Sequence, residues 1–279
     1  TAYKGAGHVA TWYDQSGNDN HATQGTAGSQ PKIVDAGSLL AAGVTFDGDD
    51  SLSVSGEPVI TAASSGTYSA FSVQTVATSS EAGYLYGNAS PSNGSSLYAD
   101  TSTFTLSNTN AATLDTISRS SGQNLLSAVY NNGDAGLLVN GAGTMTDSGT
   151  YDFSAGSGDF VIGNRNQGTV SATFLTGSIN EIIIYNSDRS TNRRAIEESI
   201  ATNYSVTLGS FSRDGMVRTW YDQSVTDQGG GTGNAHHAVQ ATADNQPIIV
   251  SNGSLLADGV DFDGTDDFLE LTSVLGAGA

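Results

Sequence analysis

Along the first two thirds of the chain, short apolar runs of period two alternate with clusters of Gly, Asn, Asp and Ser, which predicts strands joined by tight turns. Thr67 to Ala77, Gly83 to Tyr86 and Ser102 to Leu106 are rich in aromatic and β-branched residues and read as strands. Gln123 to Tyr130 alternates, so that Leu126, Ala128 and Tyr130 share one face and Leu125, Ser127 and Val129 the other. Asn131-Asn132-Gly133-Asp134 carries hairpin chemistry, Leu137-Leu138-Val139 returns, and Asn140-Gly141 turns again. Phe160 to Gly163 and Ile179 to Tyr185 close the set. The latter is apolar on both faces at Ile182, Ile183 and Ile184, as a central strand should be. One helix is expected after Tyr185, with Ser190 as N-cap and Ile196, Ile200 and Tyr204 as its apolar stripe. Arg193 with Glu197, and Arg194 with Glu198, stand at i,i+4 on the side expected to face water.

The chain also repeats itself. His8 to Ser16 (HVATWYDQS) returns 208 residues later as Met216 to Ser224 (MVRTWYDQS). After an eight-residue insertion near Gly229-Gly230-Gly231 the match resumes. His21-Ala22-Thr23-Gln24 then matches His237-Ala238-Val239-Gln240, Gly37 to Ala41 matches Gly253 to Ala257, and Phe46-Asp47-Gly48 matches Phe262-Asp263-Gly264. Residues 1–207 therefore read as one complete β-sandwich, and 208–279 as an incomplete second copy holding only the first strands. Such a fragment leaves an open sheet edge and a half-covered core. It is expected to pair with another chain or to be completed by further polypeptide, in a larger chain or a homo-oligomer.

Composition sharpens this picture. The 35 Gly and the abundance of Asp over Glu suit loops better than helical surfaces. A formal net charge of −19 leaves no basic patch for nucleic acid or anionic membrane, so neither is an expected partner. No apolar run reaches the length of a membrane span. Without cysteine there is neither a disulfide, a thiolate metal site nor a thiol nucleophile.

Trp12 to Ala22 (WYDQSGNDNHA) with Phe46-Asp47-Gly48-Asp49-Asp50 resembles the opening of a concanavalin A-like, laminin-G-like jelly roll. Leu126 to Tyr130 through Leu138 to Gly141 resembles that family's central hairpin, and Gly177 to Asn186 its last strand. The resemblance implies an all-β jelly-roll sandwich with one short helix at its C-terminal end, followed by the first strands of a second copy. It also implies a place in large surface, adhesive or phage virion proteins, hence an extracellular, cell-surface or virion location.

The chemistry is sparse. If the face that bears ligands in lectin-like sandwiches is used here, Tyr84, Tyr86, Tyr98, Asn164 and Arg165 are the candidate ligand-binding residues. Tyrosine offers an apolar face and a polar tip, and Asn and Arg can hydrogen-bond sugar hydroxyls. Asp47, Asp49 and Asp50, with the surviving counterpart Asp263, Asp266 and Asp267, form a candidate calcium site, since crowded carboxylates favour a hard cation or backbone donors. Trp12 and Trp220 read as core anchors rather than sugar platforms, Asp14-Gln15-Ser16-Gly17 as a structural turn, and His21 and His237 as packed strand residues. No closely spaced carboxylate pair of the glycosidase kind stands on one strand, and no Gly-x-Ser-x-Gly elbow occurs. The expected function is a non-catalytic, lectin-like module that binds glycans or a host surface. A purely structural repeat contacting neighbouring subunits is the alternative, and a glycoside hydrolase the least supported reading.

Overall fold

In the strand Gln123–Asn131, Leu126, Ala128 and Tyr130 point into one apolar core while Leu125 points into a second cluster on the opposite face. The same division holds for Thr67–Val76, where Tyr68, Ala70 and Val76 face the main core and Phe71 and Val73 the other cluster. The computed structural model describes residues 5–55, 67–77, 83–88, 95–108, 113–131, 134–143, 145–147, 159–164, 174–209, 215–221, 237–242, 245–251 and 254–271. Within them the chain forms two compact units, Thr1–Gly209 and Ser210–Ala279.

The first unit is an all-β sandwich with one short α-helix. Its first sheet runs, edge to edge, Gly7–His8, Lys32–Asp35, Val44–Asp47, Thr176–Tyr185, Thr67–Val76, Gln123–Asn131, Asp134–Val139 and Met145–Asp147, with Ser38–Leu39 pairing beside Lys32–Asp35. The second runs Thr113–Ser118, Thr103–Asn108, Ser95–Ala99, Gly83–Asn88, Phe160–Ile162, Leu52–Val54, Ala22–Thr23 and Thr11–Trp12. Every pairing is antiparallel. Phe46, Leu126 and Tyr130 from one sheet meet Leu52, Leu97 and Phe104 from the other in one continuous core.

The hairpin expected at 131–134 is flanked by the pair Asn131 and Asp134, although residues 132 and 133 lie outside the described ones. Thr176–Tyr185 is the central strand its apolar composition implied, paired on both edges. An extra residue, Asn180, bulges between Ile179 and Glu181, after which Ile182 and Ile184 face the main core and Ile183 and Tyr185 the outer cluster.

The helix Arg193–Tyr204 lays Ile196, Ile200, Ala201 and Tyr204 over Phe71, Val73 and Leu125. The Arg193–Glu197 pair does not face water as expected; both side chains are buried. Positions 193, 197, 200 and 204 share one helix face, and the sheet beneath offers Ser127, whose hydroxyl donates to Glu197 Oε1 at 2.7 Å. Arg193 Nη1 donates to the same oxygen. Arg194 and Glu198 pair at the surface at 2.9 Å, as the spacing indicated. Ser190 opens a 3₁₀ turn, Ser190–Asn192, rather than capping the helix directly. The Asp188 carboxylate accepts from the Ser190 backbone N–H at 2.7 Å and from its hydroxyl at 3.0 Å. The helix ends at Ser205, which is left-handed with φ 56°.

The second unit contains two three-stranded sheets, Gly215–Met216 with Ile248–Ser251 and Ser254–Leu255, and Thr219–Trp220 with Ala238–Val239 and Glu270–Leu271. Their order repeats that of the first strands of the first unit. Local bonds repeat as well. Val9 N–H donates to Pro31 O and Val217 N–H to Pro247 O, both at 2.8 Å, while the Gln24–Ala10 and Gln240–Arg218 backbone bonds are both 2.9 Å. No helix among the described residues is long and apolar enough to cross a membrane.

Candidate functional site

The second sheet has a face turned away from the core, and strand register fixes what stands on it. Thr116, Thr105, Tyr98 and Tyr84 lie side by side across four strands. Ser107, Ser96, Gly87, Val161, Ser53 and Thr23 form a neighbouring row. Small side chains dominate this second row, and Ser96 and Ser107 satisfy one another at 2.9 Å. Glycine is needed at 87, where a Cβ would sit 2.8 Å from the Cβ of Ser96. Over this low floor Tyr84 and Tyr98 stand half-buried, ring centroids 5.5 Å apart and tilted by 56°. Thr105 beside them is buried, as are Ser96 and Ser107, and its hydroxyl meets that of the exposed Thr116 at 3.3 Å, so the two rings, as an aromatic ledge, and Thr116 are what this part of the face presents.

Tyr86 does not belong to this ledge. Regular alternation would place it beside Tyr84, but Tyr98 pairs with Tyr84 and Leu97 with Tyr86, leaving Leu85 as an extra residue. That bulge turns both Leu85 and Tyr86 into the core, where Tyr86 is 1% exposed and packs on Phe160 at 5.6 Å. Its hydroxyl makes no hydrogen bond. Asn164 is buried just after Gly163, a left-handed residue that seats Phe46, and Arg165 lies outside the described residues. Sequence reasoning missed the hydroxyl row. Its only signal was apolar alternation at Leu97 with Ala99 and Phe104 with Leu106, which placed the intervening Tyr98 and Thr105 on the face opposite the core.

Asp47, Asp49 and Asp50 bring one oxygen each within 4.8 Å of the others, as do Asp263, Asp266 and Asp267. The turns are built alike. Asp50 Oδ2 accepts the backbone N–H of Asp47 at 3.1 Å, and Asp267 Oδ2 that of Asp263 at 2.9 Å. Burial pushes the Asp50 carboxyl up to about 6, with its neighbours Asp47 and Asp49 adding to the rise. Asp49 is raised by its hydrogen bond to Asp47. Asp263 is lowered, chiefly by the backbone N–H of Thr265. Asp47 and Asp50 also line a pocket of about 140 Å³ together with His8, Gln30, Lys32 and Thr45. The donor set suits a hard cation, although the Lys32 ammonium shares the pocket.

The remaining polar motifs are turns. Asp14 accepts Ser16 N–H at 2.8 Å, Ser16 Oγ–H at 2.7 Å and Asn20 N–H at 3.1 Å, and these bonds hold its carboxyl below the usual range. His21 Nδ1 accepts the Asp14 N–H at 3.1 Å while its ring meets Tyr13 edge-on. Trp12 packs against the main core, whereas Trp220 is exposed.

No family model matches the chain, and no curated protein matches it either. Among solved structures, a mutant Trypanosoma rangeli sialidase with trans-sialidase activity matches over 74% of this chain and 33% of its own, at 13% identity and a TM-score of 0.50. The CBM40 of the Ruminococcus gnavus IT-sialidase, solved with alpha2,3 sialyllactose, matches over 54% of this chain and 93% of its own, at 15% identity and a TM-score of 0.42. At 13% identity the sialidase match speaks for the all-β fold alone.

Proposed function

We propose that the first unit is a non-catalytic, lectin-like module that binds glycans on the outward face of its second sheet. The observation that carries this reading is the half-exposed Tyr84–Tyr98 pair with the exposed Thr116 hydroxyl in the same row. Tyrosine rings take up the apolar faces of pyranose rings, and Thr and Tyr hydroxyls can exchange hydrogen bonds with sugar hydroxyls. The two rows carry no carboxylate, whereas glycoside hydrolysis needs a flanking pair, which favours binding over turnover. Membership of the concanavalin A-like, laminin-G-like group is supported by the antiparallel sandwich, its central Thr176–Tyr185 strand and the helix that follows. A place on a cell or virion surface, as adhesin or fibre component, is what the concanavalin A-like, laminin-G-like resemblance implies and belongs to the same proposal. Calcium at Asp47, Asp49 and Asp50 is part of the same proposal, supported by the clustered oxygens.

A glycan array probed with the intact chain tests the reading. Binding to at least one glycan, abolished by Tyr98→Ala, is the expected outcome. An array blank throughout would instead favour a structural repeat.

A further inference from the structure

The outward face of the first sheet carries a polar pocket near its edge. Alternation sends Val44 and Phe46 into the core and turns Thr45 and Asp47 outward. Register then sets His8, Lys32 and Thr45 side by side on three strands. Asp47 follows Thr45 on the same face, and Asp50 and Gln30 complete the lining of a space of about 140 Å³, room for about five waters. The main chain braces its walls. Ser51 N–H donates to Ser29 O at 3.2 Å, which ties the Ala27–Ser29 turn to the turn at Asp50, and Asp50 Oδ2 holds the Asp47 N–H. Gln30 Nε2 donates to Gln24 O at 2.7 Å, so its carbonyl oxygen is the group it can offer to a ligand.

The repeat shows which of these residues the scaffold needs. Met216 faces Ile248 in register as His8 faces Lys32, and Ile248 bridges Asp261 as Lys32 meets Thr45. Gln246 keeps the bond of Gln30, donating to Gln240 O at 2.8 Å, and Asp267 keeps that of Asp50. The same strands and turns form with Met, Ile and Asp in place of His8, Lys32 and Thr45, so the fold does not require those three side chains. Two carboxylates repel an anion, the Lys32 ammonium repels an organic cation, and no Phe, Tyr or Trp stands among the described lining residues. Adjacent hydroxyls, each both donor and acceptor, match carboxylate, carbonyl, ammonium and hydroxyl groups at close quarters. We infer that the pocket is a second binding site, on the opposite sheet from the tyrosine ledge, which takes a single sugar ring by its vicinal hydroxyls. The inference rests on the glycan-binding reading for its class of ligand only, and uses none of the residues of the ledge.

The test uses the intact chain carrying Tyr84→Ala and Tyr98→Ala, so that the ledge contributes nothing. Free hexoses, and linear polyols such as glycerol, are titrated into it in excess chelator while its amide signals are followed by NMR. At least one hexose should shift the signals of Lys32, Thr45 and Asp47 and leave those of Met216, Ile248 and Asp261 in place. Lys32→Ile together with Thr45→Asp, the residues that the second unit carries, should keep the fold and weaken this binding at least about tenfold. Asp49→Asn should leave it unchanged, because Asp49 is not among the lining residues, and this variant separates the sugar from calcium at the same turn. Three results would overturn the inference: no hexose shifting those signals, a response confined to the linear polyols, or binding that survives Lys32→Ile with Thr45→Asp. A ledge that binds nothing does not bear on these results, since the chain tested has none.

Discussion

Leu85 has no residue opposite it on the neighbouring strand, and that one insertion decides which tyrosines can meet a ligand. The bulge separates Tyr84 from Tyr86 in role although they are two apart in sequence. Tyr86→Phe removes a buried hydroxyl without a hydrogen bond, so it should be neutral or stabilising in denaturant unfolding and leave glycan affinity unchanged. A loss of affinity would return Tyr86 to the site. Asp50 gives a pH test. Its folded pKa, about 6, lies above the ordinary 3.8, so the folded state holds this proton more tightly. Its contribution is therefore favourable below the ordinary value and lost as pH rises through about 6. With chelator present, Asp50→Asn should stabilise the protein near neutral pH and match the parent near about pH 4. Equal stability across that range would remove the burial penalty assigned to Asp50.

Elements with strong patterns are legible in the sequence itself: the alternating strand Gln123–Asn131, the apolar run Ile182 to Tyr185 within Thr176–Tyr185 and the helix stripe Ile196, Ile200 and Tyr204. Ser95–Ala99 and Thr113–Ser118 are not, because Ser and Thr fill their outward positions and each buries few apolar side chains. Their strand character comes from neighbours rather than propensity. Bulges at Leu85 and Asn180 are likewise invisible there, since register is a property of pairs. The Arg193–Glu197 pair is legible as a pair but not as a buried one, because i,i+4 spacing says nothing about which face meets Ser127. Glu197→Ala should cost about 3–5 kcal/mol in unfolding experiments by leaving the Arg193 charge buried without its partner. Ser205→Gly should stabilise by about 1 kcal/mol, since Ser occupies the left-handed position that suits glycine. A destabilising Ser205→Gly would mean that the serine side chain contributes more than its backbone costs.

For the molecule as a whole, the repeat is the clearest message of the sequence, and the bonds at Val9 and Val217 or at Gln24 and Gln240 give it physical form. The proposed ligand face is legible only in part, since the sequence marks Tyr84 and Tyr98 while the place of Thr116 in their row depends on strand order. If calcium occupies the Asp47, Asp49 and Asp50 turn, melting with excess calcium should exceed melting with chelator. Saturation at about 100 times the dissociation constant adds about 2.7 kcal/mol. An unchanged midpoint would leave the turn as backbone capping alone. The central claim is that sugars bind on the tyrosine ledge. Calorimetric titration of the best array ligand into the parent, Tyr84→Ala, Tyr98→Ala and Tyr86→Phe chains tests it most directly. Binding at least about tenfold weaker, about 1.4 kcal/mol, is expected for each alanine variant, with parental affinity for Tyr86→Phe. Parental affinity in both alanine variants would contradict it.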